Sequence, residues 1–134
     1  MNVLVDTSVW SLALRRSRQS AHPAAAALEA LLLDGRVAII GPIRQEILSG
    51  VRSIEQFHIL REHLRSFPDV PLGPDDYEEA AAFFNKCRSK GIQGSNTDLL
   101  ICAVAARREI EIFTTDKDFE RYAKHVPIGI YKYT

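Results

Sequence analysis

Residues 2–14, "NVLVDTSVWSLAL", open with an apolar run that reads as a buried strand, pass through a single acid, Asp6, and shift at once to helical spacing. An acid at that junction has an ordinary explanation. A side-chain oxygen there would cap the helix starting at Thr7, accepting from one of the orphan amides of its first turn. Whether Asp6 does more depends on what the rest of the chain brings beside it.

The strand-then-helix unit recurs along the chain. "VAII" (37–40) is a second buried strand, and "GPIRQEILSG" (41–50) follows it as a helix, with Pro42 suited to the first turn and Gly50 to the stop. "IEIFTT" (110–115) is a strand leading into the short helix "DKDFERYAKH" (116–125), and "IGIYKY" (128–133) is a final strand. Between them, "AAAALEALLLDG" (24–35) is rich in helix formers and ends at Gly35, which cheaply adopts a left-handed cap. "SIEQFHILREHLRSF" (53–67) places Ile54, Phe57, Leu60 or Ile59, and Leu64 on one apolar face. "DVPLG" (69–73) is a weak strand, confined to an edge because Pro71 has no amide to donate. "PDDYEEAAAFFNKCRSKG" (74–91) is a helix with acids at its start and bases at its end. "NTDLLICAVAARRE" (96–109) is apolar all round from Leu99 to Ala106, so it is expected to be central and buried. Strands separated by helices of this length imply an α/β fold with a parallel sheet covered on both faces.

Composition sets the outer limits. The chain has 134 residues, 46% of them apolar, enough for one domain spanning 1–134 whose core needs no disulfide. Lys plus Arg and Asp plus Glu both total 17, so no global cationic field exists and a polyanion would have to use a local basic patch. The longest greasy stretch, "AAAALEALLL", is broken by Glu29 and too short to span a bilayer, and no leader-like segment precedes the first strand, so a cytoplasmic location without membrane contact is expected. Cys87 and Cys102 lack CxxC spacing and read as reduced core residues. The four histidines offer no i,i+4 pair and no HExxH zinc signature.

The acids carry the chemistry. In open parallel sheets the active crevice lies beyond the carboxyl ends of the strands, where strand order reverses. Asp6 ends the first strand and Asp116 follows "IFTT", so neighbouring strands would bring both to one crevice. Glu46 lies on the helix after the second strand, and Asp98 opens the buried helix with no basic partner nearby in sequence. Each alone reads as a cap, a dipole partner or a solvated side chain. Together, unpaired carboxylates repel and raise one another's pKa unless a cation compensates them. Mg²⁺ or Mn²⁺ suits such a site, since these hard ions bind through a few carboxylates plus substrate phosphates and assist in-line phosphodiester hydrolysis.

With those residues placed, the chain resembles a PIN-domain ribonuclease, and within that family the VapC toxins of VapBC toxin-antitoxin pairs. "VDTSVW" is similar to the family's opening strand and first acid, "GPIRQEILSGVR" to its glutamate helix, "TDLLICAVA" to its D-x-x-I-x-A-x-A helix, and "FTTDKDF" to its T-x-D-x-D-F ending. The resemblance runs nearly end to end. It implies a three-layer α/β/α domain with a central parallel sheet of about five strands. It also implies a metal-binding catalytic quartet at Asp6, Glu46, Asp98 and Asp116, with Asp118 as a fifth acid and supporting hydroxyls at Thr7, Ser8 and Thr114. The implied activity is Mg²⁺-dependent endoribonuclease action, with Mn²⁺ as a substitute, blocked by a cognate VapB-type antitoxin, in a protein that forms a homodimer. Arg15, Arg16 and Lys117 lie nearest the acids in sequence and are the first candidates for binding RNA phosphates.

Two rival readings have residue-level tests. An aspartyl phosphotransferase of the HAD type needs a second Asp two residues after the first, and Ser8 stands there; no P-loop or GxGxxG is present, and "GIQGS" (91–95) lacks the lysine of a phosphate loop. A non-catalytic PIN-fold module binding RNA or a protein partner is the alternative that an acidic quartet speaks against but that fold alone does not exclude.

Overall fold

A computed structural model describes residues 1–14 and 22–133 of the chain. Three short parallel strands, β1 (Val3–Val5), β2 (Val37–Ala38) and β3 (Glu111–Phe113), form a sheet in the order β2-β1-β3. Val3 pairs with Val37 on one side and Glu111 on the other, and Val5 pairs with Phe113. From β1 the chain moves first to β2 and then crosses to the opposite side for β3, so the reversal of strand order falls between β1 and β3.

Among the described residues the sheet has three strands rather than five. The two expected outer strands survive as single parallel bridges, Ile39 with Asp69 and Ile112 with Ile130. On the first edge, the Val70 amide donates to the Ile39 carbonyl at 2.9 Å, and Pro71 then ends the ladder because it has no N–H. On the other edge, Tyr131 N–H donates to Ile112 O at 2.8 Å, while the rings of Tyr131 and Tyr133 stand 5.2 and 5.0 Å from that of Phe113. Aromatic packing, rather than a continued ladder, holds the last segment.

Val3, Leu4 and Val5 are each at most 1% exposed. Successive strand side chains point to opposite faces, so both faces of β1 are covered and the domain has three layers. Helix α1 (Thr7–Leu14) packs on α2 (Pro23–Leu33) and α3 (Gly41–Ser49), and α3 on α4 (Ile54–Leu64); α5 (Pro74–Ser89) packs on α6 (Asn96–Arg108), which also meets β3. The five-residue α7 (Asp118–Tyr122) closes the series.

Residues 99–105 of α6 are all buried, as its unbroken apolar run requires, and both cysteines are buried and unpaired. On α4 only Leu64 is buried; Phe57 and Leu60 are partly so, and Ile54 and Ile59 are exposed. The inward stripe is therefore Phe57, Leu60, Leu64, and Ile54 does not belong to it. Gly35 takes the left-handed φ of 66° expected after α2, whereas Gly50 stays at φ −91°. Helix α2 begins with an unforeseen cap, the Nδ1 of His22 accepting from Ala24 N at 3.0 Å.

Asp76 ties the second helical layer together. Its carboxylate is 4% exposed and accepts from Gly73 N at 3.0 Å, from Arg108 at 2.7 and 3.2 Å, and from Arg107 at 3.1 Å. The Arg108 guanidinium, more than any other neighbour, holds this carboxyl well below the usual range.

Candidate metal centre

Pairing of β1 with β3 carries Asp6 and Thr114 to the same end of adjacent strands, with the Asp6 amide donating to Phe113 O at 2.8 Å. Asp6 is only 6% exposed. Among the described residues its carboxylate accepts no backbone N–H, so it does not cap α1; the Asp6 backbone carbonyl instead accepts from Val9 and Trp10. Oδ2 takes two hydroxyl donors, Ser8 Oγ at 2.9 Å and Thr114 Oγ1 at 2.8 Å. Those hydroxyls also act as acceptors, Ser8 Oγ from Thr115 N at 3.1 Å and Thr114 Oγ1 from Asp116 N at 3.0 Å. Two protons and two amides thus lock Asp6 to the segment that carries Asp116.

Asp116 closes the next turn, its Oδ1 accepting from Asp118 N at 2.9 Å. Asp98 arrives from α6, where Ser95 Oγ caps the helix by accepting from Asp98 N at 3.0 Å. The Asp98 side chain does not return to its own helix end. Its Oδ2 accepts from the Tyr122 hydroxyl at 2.9 Å. Asp98, Asp116 and Asp118 each present an oxygen, and these three oxygens lie within 4.8 Å of one another.

The electrostatics extend the group to Glu46. Its carboxyl is raised above the ordinary value by burial first, then by the charges of Asp6 and Asp98. Asp98 is raised too, mainly by burial, with Asp6 and Asp116 adding to it and the Tyr122 hydrogen bond opposing it. Tyr122, buried and beside Asp98, is pushed well above the usual phenol range and stays a donor. The donor set is entirely oxygen and anionic, and one oxygen of each of Asp6, Asp98 and Asp116 is tied by a protein hydrogen bond. It fits a hard divalent cation such as Mg²⁺ or Mn²⁺ and does not resemble a nitrogen or sulfur site.

Among the other residues singled out from the sequence, Ser8 and Thr114 are in the crevice, whereas Thr7 is not bonded to it: its Oγ1 is buried without a hydrogen-bond partner among the described residues. Lys117 is exposed between Asp116 and Asp118. Arg15 and Arg16 lie outside the described residues. Tyr122 was missed by the sequence reading, because nothing local marks a tyrosine 24 residues away as a partner of Asp98.

The fold and crevice define an α/β protein with a carboxylate-lined groove at the switch point of a parallel sheet. A family model described as the PIN domain matches residues 3–125, and the chain belongs to that family. No curated protein matches it. Similar solved structures include FitAcB from Neisseria gonorrhoeae (19% identity, TM-score 0.76, covering 97% of this chain and 96% of that one). VapBC2 from Rickettsia felis, bound to a DNA fragment from its promoter, is 20% identical with a TM-score of 0.76 and 98% coverage of both chains. VapBC-5 from Mycobacterium tuberculosis, a member of the VapBC family of toxin-antitoxin systems, is 22% identical with a TM-score of 0.69, covering 98% and 99%. At these identities the likeness is one of fold.

Proposed function

We propose that this chain is a VapC-type endoribonuclease toxin that hydrolyses RNA phosphodiester bonds with Mg²⁺, or Mn²⁺ in its place. The observation that carries the reading is the convergence of Asp98, Asp116 and Asp118 within 4.8 Å, beside an Asp6 fixed by Ser8 and Thr114. Of the three clustered carboxylates only Asp118 has a cationic neighbour, Arg121 at 3.7 Å, and with none bonded to Asp98 or Asp116 among the described residues the cluster favours an added cation.

Asp98, Asp116 and Asp118 would hold the cation, with Asp6 and Glu46, which lie outside that cluster of oxygens, completing the acidic set. The ion would supply a lowered pKa for an attacking water and compensation of charge on the leaving oxygen. The chain's own residues fix the geometry in advance. Ser8 and Thr114 orient Asp6, the Asp116 amide is tied to Thr114, and the exposed Lys117 is available to a substrate phosphate, with Arg15 and Arg16 as further candidates.

The VapBC relatives in solved structures support a protein partner, a VapB-type antitoxin. An arginine from such a partner would pair bidentately with the carboxylates and compete with the cation. Homodimer formation is part of the same proposal. A cytoplasmic location is likewise part of the proposal; among the described residues no helix is long and apolar enough to cross a membrane.

The test is cleavage of purified transfer and ribosomal RNA by the chain with Mg²⁺ or Mn²⁺, with EDTA, and with Asp98→Asn. Cutting that leaves 5′-phosphate ends and is abolished by EDTA and by D98N is the expected result. Unimpaired cutting in EDTA would overturn the metal-dependent reading. A folded, Mn²⁺-binding protein that turns over neither RNA would point to the non-catalytic binding module.

A further inference from the structure

The second glycine of "GIQGS" is unexplained by a phosphate loop and lies outside the acidic crevice itself. Its environment gives it a role. A Cβ built on Gly94 would stand 2.5 Å from Leu99 Cδ2, 2.9 Å from the Tyr122 hydroxyl oxygen and 3.0 Å from Tyr122 Cε1. Any larger residue would push on the phenol or on the core leucine beside it. Tyr122 is 1% exposed, with its ring edge-on to Phe119 at 5.2 Å, so it has little room to move aside. The gap at residue 94 is what lets its hydroxyl reach Asp98 Oδ2 at 2.9 Å.

We propose that Gly94 and Tyr122 act as a positioning pair for Asp98, the glycine admitting the phenol and the phenol fixing one carboxylate oxygen so that the other is presented to the cation. The inference rests on the metal-centre reading above. Asp98 stands on α6 and Asp116 and Asp118 come from the segment after β3, so nothing in the backbone of α6 alone sets the Asp98 side-chain rotamer relative to theirs. The Tyr122 hydrogen bond does, because α7 begins at Asp118 and carries both the third acid and the phenol. The competing possibility is that Asp98 merely satisfies a buried phenol, in which case losing the hydroxyl would leave cation affinity unchanged.

The experiment measures Mn²⁺ binding by calorimetry and RNA cleavage for the full chain, Y122F, G94A and the double variant, with near-UV circular dichroism reporting packing. Loss of an outer hydrogen-bond partner of a metal ligand typically costs about 10- to 100-fold in affinity, so Y122F is expected to weaken Mn²⁺ binding by about tenfold or more, with kcat lowered and KM for RNA unchanged. G94A is expected to do the same, and the double variant to be no worse than the weaker single, because both act through one hydrogen bond. If parent and Y122F bind Mn²⁺ equally, the positioning role is overturned while the metal centre stands. If the parent binds no Mn²⁺, the metal-centre reading falls and takes this role with it. Should G94A not fold, Y122F, which keeps the ring and removes only the hydroxyl, decides the matter.

Discussion

Thr114 is the residue on which most of the crevice turns, since it donates to Asp6 Oδ2 and accepts from Asp116 N at once. Thr114→Val keeps the shape and removes both bonds; a hydrogen bond to a charged group is worth about 1.5–3 kcal/mol, and denaturant unfolding should show a loss of that order. Ser8→Ala, which leaves Thr114 on the same oxygen, should cost less. Asp98 and Glu46 predict a pH dependence of definite sign. Both are raised in the fold, by burial and by neighbouring acids, so the folded chain holds their protons more tightly than the unfolded one. Stability of the cation-free protein should therefore fall as pH rises through the window between the ordinary carboxylate range and the raised values. Asp98→Asn, which keeps an acceptor for Tyr122, should raise the Tm of the protein in EDTA at neutral pH while abolishing cleavage; a lowered Tm would contradict the repulsion argument. At this scale the order of the acids is legible in the sequence, and so are two of the three expected hydroxyls, Ser8 and Thr114, which bond Asp6, while Thr7 does not. That one Thr114 hydroxyl serves both Asp6 and Asp116 is a matter of pairing across 108 residues, and the Tyr122 phenol on Asp98, 24 residues away, has no mark in the sequence at all.

Among the elements, α5 and α6 depend on a buried charge. Removing the Asp76 carboxylate leaves Arg107 with only the exposed Asp75, Arg108 with only the Pro71 and Val104 carbonyls, and the Gly73 amide without its acceptor; because both arginines are partly open to solvent, Asp76→Ala should cost about 2–3 kcal/mol, read from a denaturant midpoint. Because this carboxyl is depressed in the fold, its contribution is present above the ordinary carboxylate range and lost as pH falls through its folded value, the opposite sense to Asp98 and in a lower window. Helix α6 ends on Glu109 in a left-handed conformation, φ 53° and ψ 45°, which costs a residue with a Cβ about 1–2 kcal/mol. Glu109→Gly should accordingly raise stability, by up to about 1 kcal/mol after glycine's larger unfolded-state entropy is subtracted. Helices were the most legible elements, because caps, Pro42 and Gly35 punctuate long periodic runs. The outer strands were the least, since apolar alternation in "IGIYKY" is equally served by rings packed on Phe113, and Pro71 permits only one bridge.

For the whole molecule, a cation held only by the folded chain would couple its binding to folding. A ligand at about 100 times its Kd adds about 2.7 kcal/mol to stability, so Mn²⁺ should raise the Tm of the parent, and the rise should vanish in D98N and with EDTA. The three-layer arrangement was legible from alternating strands and helices, and the central place of α6 from its apolar run; the order β2-β1-β3 was not, because periodicity says nothing about which side of β1 each later strand takes. That order has a consequence during synthesis. The middle strand of the sheet is made before both of its neighbours, and the strand that begins at Glu111 follows it only after most of the helices. At about 5–20 residues per second, the ribosome releases Asp6 several seconds before Asp118, so a nascent chain carries no assembled crevice until the segment bearing Asp116 and Asp118 emerges. A polypeptide interrupted before residue 114 would lack Thr114, Asp116 and Asp118 together, and so could not assemble the cation site proposed above.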